Sequence, residues 1–136
     1  MIHRWRMRPL FGDTDSMGVV YHGNYLRYFE RGRAELMRAA GRAYTELMDL
    51  GLHLPVSEAW VKYHRPARYD DDLVIETSVD WIKKASLRFE YKIVRAAGDD
   101  EVLLVSGATV HACVDGQGRV RPLPQWLTGL TKRSDE

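Results

Sequence analysis

Residues 11–35 read FGDTDSMGVVYHGNYLRYFERGRAE, and the pattern changes halfway along. From Tyr25 onward, Tyr25, Tyr28, Phe29, Gly32, Leu36 and Ala40 recur at three- and four-residue intervals, while Arg27, Glu30, Arg31 and Arg38 fall largely on other faces. That is one amphipathic helix of about five turns at 3.6 residues per turn, ending near Gly41, which suits a left-handed cap. Gly32 inside the apolar stripe weakens a helix, so the spacing predicts close approach of another backbone, as when a sheet wraps the helix.

Outside the helix the period is two. Residues 2–8 set Trp5 and Met7 on one side and Arg4, Arg6 and Arg8 on the other, a half-buried strand closed by Pro9. A short helical piece, RAYTELMDL, stops at Gly51. VSEAWVKYHR, LVIETSVDWI, LRFEYKIVR and EVLLVSGATVHACV then follow as strands, parted by the turn segments PARYDD, KKAS and AAGDD. In LRFEYKIVR, Leu87, Phe89, Tyr91 and Ile93 point inward and Arg88, Glu90 and Lys92 outward. Short connections favour antiparallel pairing, so the expected fold is α+β: one long central helix wrapped by a five-stranded antiparallel sheet.

The 136 residues fit a single domain, 1–136, with TKRSDE as a frayed end. Lysine and arginine number 20 against 19 acids, a formal charge of +1, which gives no support to nucleic acid or an anionic membrane as partner. MIHRWRMRPL alternates basic and apolar residues, so it reads as neither a signal peptide nor a membrane span, and the cytoplasm is the expected compartment. The one cysteine, Cys113, lies in an alternating apolar run and reads as a small buried hydrophobe.

The segment before the helix carries the chemistry. The first amides of a helix lack intrahelical partners and its dipole favours negative charge, so an anion or a developing oxyanion can be held there. Asp15 stands upstream as a candidate base or nucleophile, His22 as a group able to orient a carbonyl or a water, and Gly18 as a point of close backbone approach. Asp13 and Asp15 also have the residue type of caps and Asx turns. A calcium loop fails: position five is Met17 and position twelve is Asn24, where a bidentate glutamate is needed. His3, His22, His53, His64 and His111 lack ligand spacing, so no metal is expected.

These residues carry a family resemblance. FGDTDSMGVVYHGNYLRYFERGRAE followed by VKYHRPARYDDDLVIETSV resembles the hotdog-fold acyl-CoA thioesterases of the 4-hydroxybenzoyl-CoA thioesterase type, and most of all the branch associated with the Tol-Pal gene cluster. The resemblance covers nearly the whole chain. It implies that Asp15, the second acid of D-x-D, is the catalytic carboxylate, and that the backbone at Tyr21 and His22 polarises the thioester carbonyl. The His22 imidazole matches only one branch. The family's subunits join their sheets, sites form at the interface, and tetramers are common, so a homo-oligomer is implied.

Coenzyme A would enter as part of the substrate, with no separate cofactor. In the family a basic cluster follows a tryptophan at the turn matching WIKKAS, so Lys83, Lys84 and Ser86 are the implied contacts for its nucleotide end. Glu30, on a charged helix face within reach of Arg27 or Arg33, reads as structural although some hotdog enzymes carry a carboxylate on this helix. Arg68 and Asp70–Asp72 read as a turn or subunit contact. Trp60, Tyr63 and Trp81 could line an aromatic acyl pocket but have the period of core or interface residues. The expected activity is hydrolysis of short aliphatic or aromatic acyl-CoA, with acyl carrier protein thioesters as a further class. The alternatives are a binding module without turnover and a hotdog dehydratase, whose histidine–acid arrangement the sequence lacks.

Overall fold

The computed structural model describes residues 1–130; TKRSDE lies outside the described residues. Strand β1 (Ile2–Met7) leads into the loop, then helix α1 (Asn24–Ala39) and helix α2 (Tyr44–Asp49). Strands β2 (Leu52–His53), β3 (Val56–Tyr63), β4 (Leu73–Ile82), β5 (Ser86–Ala97), β6 (Asp100–Ala112) and β7 (Val114–Asp115) follow. Five of them form one antiparallel sheet in the order β1-β4-β5-β6-β3, and β2 pairs with β7 apart from it. The expected α+β plan is therefore present.

Helix α1 lies in the curve of the sheet because its apolar stripe is continuous. Tyr25, Tyr28, Phe29, Gly32, Leu36 and Met37 are buried against inward residues of the strands, among them Ile75, Val79, Leu87, Phe89, Tyr91 and Ile93. Phe29 stacks flat on Tyr91 with ring centroids 4.2 Å apart. The C-terminus closes as a Schellman motif: Gly41 takes φ +89°, its N–H bonds the Arg38 carbonyl and the Arg42 N–H bonds the Met37 carbonyl, both at 3.0 Å.

Gly32 corrects one expectation. A Cβ there would stand 2.5 Å from Thr77 Oγ1 and 2.8 Å from Ile75 Cγ2, so side chains of β4, not a backbone, occupy the space.

The pairing registers also set distances across the molecule. Tyr63 lies opposite Val105, Val105 opposite Ile93, and Ile93 opposite Ile75, which marks one end of the sheet. Val56 lies opposite His111 and His111 opposite Leu87, which marks the other. At about 3.3 Å per residue along β3, the two ends are about 23 Å apart.

Candidate active site

The loop between β1 and α1 is folded around Asp13. Its carboxylate accepts the Tyr28 hydroxyl (2.8 Å) and the Leu10 N–H (3.1 Å), and its backbone carbonyl accepts the Tyr21 N–H (2.9 Å) and the Asn24 side-chain amide (2.8 Å). Burial, followed by the Asp13 carboxylate, pushes the Tyr28 hydroxyl far above its ordinary pKa, so it stays a proton donor. Asp13 is thus a structural acid.

Asp15 is held differently. Its N–H bonds the Val19 carbonyl (2.8 Å), and Oδ1 accepts the Met17 N–H (2.9 Å) in an Asx turn. The side chain is exposed, and Oδ2 carries no hydrogen bond among the described residues. Gly18, at φ +80°, permits the tight return of this turn, and a Cβ there would meet nothing within 4 Å among the described residues.

Asp15, Val19, Val20, His22, Tyr25, Tyr63, His64, Arg65 and Pro66 line a cleft of about 280 Å³. The Tyr63 hydroxyl donates to the His22 carbonyl over 3.3 Å, and the His22 ring leans on Tyr21 with centroids 4.4 Å apart. The buried Tyr25 hydroxyl accepts the Ala67 N–H (3.1 Å), which ties α1 to the β3–β4 loop.

The pre-helix backbone refines the sequence reading. The Tyr21 N–H is occupied by Asp13, while Asn24 and Tyr25 donate to the Tyr21 and His22 carbonyls at 2.9 and 3.4 Å. The amides without a partner among the described residues are those of His22 and Gly23. They sit at the positive end of a 16-residue helix with no side-chain cap, a position that favours negative charge.

The remaining candidates fall elsewhere. Lys83, Lys84 and Ser86 form the β4–β5 turn, closed by a 2.8 Å bond from Lys83 N–H to the Ser86 carbonyl, with Lys83 Nζ 4.5 Å above the Trp81 ring. That turn adjoins the Ile82–Leu87 pair, at the end of the sheet opposite Tyr63. Trp60 lies on the outer face beside Glu76, Arg88 and Lys92, so of the three aromatics only Tyr63 reaches the cleft. Glu30 sits 4.0 Å from Arg33 on α1. The Arg68 N–H bonds the Asp71 carboxylate at 2.8 Å, making that segment a turn. His64 and Arg65 line the cleft without any signal in their spacing that would have named them.

Residues 9–129 match the thioesterase-like superfamily. The chain is 36% identical over 133 residues to the acyl-CoA thioester hydrolase YbgC of Escherichia coli, spanning 97% of each chain. It is 38% identical over 119 residues to the acyl-CoA thioesterase YbgC of Haemophilus influenzae, covering 86% of this chain and 83% of that one. The solved structure of a 1,4-dihydroxy-2-naphthoyl-CoA thioesterase from Synechocystis superposes with a TM-score of 0.88 at 20% identity, covering 100% of this chain and 99% of that one. The chain belongs to the thioesterase-like superfamily: it is a hotdog-fold thioester hydrolase.

Proposed function

We propose that the chain hydrolyses acyl-CoA at the cleft holding Asp15, with the His22 and Gly23 amides as oxyanion site. The observation that carries this reading is the placement in one cleft of His22 and of Asp15, a carboxylate with one oxygen unengaged, beside a helix N-terminus where the His22 and adjoining Gly23 amides have no partner among the described residues. A water beside Asp15 Oδ2 gives up a proton to the carboxylate as its oxygen adds to the thioester carbon. The carbonyl oxygen becomes an oxyanion against the two amides. Collapse expels the CoA thiolate, whose thiol has an ordinary pKa near 8.5, so it leaves without a dedicated acid and then takes the proton from Asp15.

The cleft also calls for a second copy of the chain. β3 is the edge strand of the sheet, with its outer edge unpaired among the described residues. Antiparallel pairing of two β3 edges about a two-fold axis lays the Val56 end of one copy against the Tyr63 end of the other. The lysine turn, at the end of the sheet about 23 Å along β3 from the Tyr63 end, is thereby brought toward the partner's cleft, where Lys83, Lys84 and Ser86 meet the phosphates of coenzyme A. A homo-oligomer is thus part of the proposal.

The test is thiol release from aliphatic and aromatic acyl-CoAs by wild type and Asp15→Asn. A folded Asp15→Asn variant should lose about a hundredfold or more in kcat. Full activity in that variant overturns the role of Asp15; tight acyl-CoA binding without release by folded wild type supports a binding module instead.

A further inference from the structure

Under the C-terminal half of α1 lies a second cavity, of about 440 Å³, at the end of the sheet away from Asp15. Its walls are Ala34, Met37, Tyr44, Leu54, Pro55, Val56 and Phe89, and its only charged lining groups are Glu30 and Arg33. The size and lining are those of a small-molecule site.

Arg33 is an unusual group to find there. Its side chain is only 19% exposed, yet its contacts are long: 3.4 Å to the Tyr91 hydroxyl and 4.0 Å to the Glu30 carboxylate. Charge-assisted bonds between guanidinium and carboxylate normally close to about 2.7–2.9 Å. Glu30 is 73% exposed and faces mostly water, so it is a loose counter-ion. A guanidinium with N–H donors to spare, bordering an apolar cavity, is built to receive an acceptor from the cavity side.

The polar groups behind Arg33 hold it there. The Tyr91 hydroxyl lies 2.6 Å from Thr109 Oγ1, which lies 2.8 Å from His111 Nε2, and His111 Nδ1 lies 2.8 Å from the Leu54 carbonyl. The chain runs one way: Arg33 donates to Tyr91, Tyr91 to Thr109, Thr109 to His111, and His111 to Leu54. Its first and last members both line the cavity. Walls and guanidinium are therefore positioned by one buried set of hydrogen bonds.

We infer that this cavity binds an aliphatic chain ending in a carboxylate, with the chain against Met37, Leu54, Val56 and Phe89 and the carboxylate on Arg33 in place of Glu30. Two sources supply that chemistry: a free fatty acid, and the distal carboxylate of a dicarboxylic acyl thioester. The second source rests on the thioesterase reading above and on the pairing of β3 edges, because an eight-carbon chain is far shorter than the roughly 23 Å between the ends of the sheet and reaches this cavity only from the partner's cleft; the first does not.

The experiment titrates octanoate and, as an uncharged control, octanol into wild type, Arg33→Gln and Arg33→Lys, each checked for a native melting transition, and compares octanedioyl-CoA with octanoyl-CoA as substrates. Octanoate should bind wild type at least tenfold more tightly than octanol, and Arg33→Gln should erase that preference while Arg33→Lys keeps part of it. Ala34→Phe, at a half-buried wall position on α1, should weaken both ligands. If octanedioyl-CoA also gains at least tenfold in kcat/KM over octanoyl-CoA, and loses the gain in Arg33→Gln, the carboxylate belongs to the substrate; without that gain it belongs to a free acid. Octanoate that fails to bind wild type, or binds Arg33→Gln equally, overturns the site. The titrations read binding directly, so a protein without turnover still gives the answer, and the two readings fail separately.

Discussion

The Tyr28 hydroxyl donates to the Asp13 carboxylate over 2.8 Å, and through that contact the first turns of α1 hold the loop that presents Asp15. Because the Asp13 carbonyl also takes the Tyr21 N–H and the Asn24 side chain, the orientation of the His22 and Gly23 amides depends on this hub. Tyr28→Phe and Asn24→Ala should each lower kcat about tenfold with KM changed less than about twofold, since oxyanion donors act in the transition state. Affinity for a non-hydrolysable thioether analogue should be unchanged. A proportional rise in KM would instead assign these residues to ground-state binding.

Gly32 faces β4 so closely that Gly32→Ala should destabilise the fold. Alanine gains about 1 kcal/mol in helix propensity over glycine, but its Cβ would stand 2.5 Å from Thr77 Oγ1 and 2.8 Å from Ile75 Cγ2. Overpacking of that kind costs about 1–3 kcal/mol. The net loss, about 1 kcal/mol, should appear as a lower urea midpoint at constant m-value. Thr77 Oγ1 is buried without a hydrogen-bond partner among the described residues, so Thr77→Ala should recover part of it in the double variant.

His111 makes stability depend on pH. Burial is the main cause that lowers its pKa from 6.5 to about 4, with the Arg33 charge adding to it against the bond to the Leu54 carbonyl. The folded protein therefore refuses a proton that the unfolded chain accepts below about pH 6.5. Its contribution is complete above that pH and is lost as pH falls toward 4, by up to about 3 kcal/mol at 1.36 kcal/mol per pKa unit. His111→Gln cannot take up that proton in either state. The stability difference between wild type and this variant should shrink from pH 7 to pH 4 in urea titrations; a constant difference would contradict the assignment.

Periodicity made most of this fold legible, and chain-distant contacts account for what it missed. LVIETSVDWI coincides with β4 and the stripe from Tyr25 to Leu36 with the buried face of α1, because side-chain direction follows local geometry. In the pre-helix segment, residue type alone left Asp13 and Asp15 open between caps and chemistry, and the family resemblance singled out Asp15. The structural role of Asp13 was not legible: it depends on Tyr28, which meets Asp13 only after the loop folds back on the helix. His111 shares its strand face with Thr109 two residues before it, but the Leu54 carbonyl at its other nitrogen comes from the segment between β2 and β3, which no periodicity places there. The same holds for the lysine turn, whose distance from Asp15 is fixed by pairings among β3, β5 and β6.

That distance leads to the sharpest test of assembly. If β3 edges pair, the lysines of one copy serve the Asp15 of the other, so Lys83→Ala/Lys84→Ala should raise KM for acyl-CoA about tenfold while leaving KM for the acyl-pantetheine analogue unchanged. Asp15→Asn should be inactive with its lysines intact. Unfolded together and refolded at equal amounts, the two variants pair at random, and about a quarter of all sites then combine an intact Asp15 with a partner carrying intact lysines. Those sites should hydrolyse acyl-CoA with the wild-type KM, so a low-KM phase absent from either variant alone should appear in the mixture. Were the lysines to serve the cleft of their own chain, every site retaining Asp15 would lack them, and the mixture would show only the raised KM. The shape of the saturation curve therefore decides whether one chain or two build the coenzyme A site.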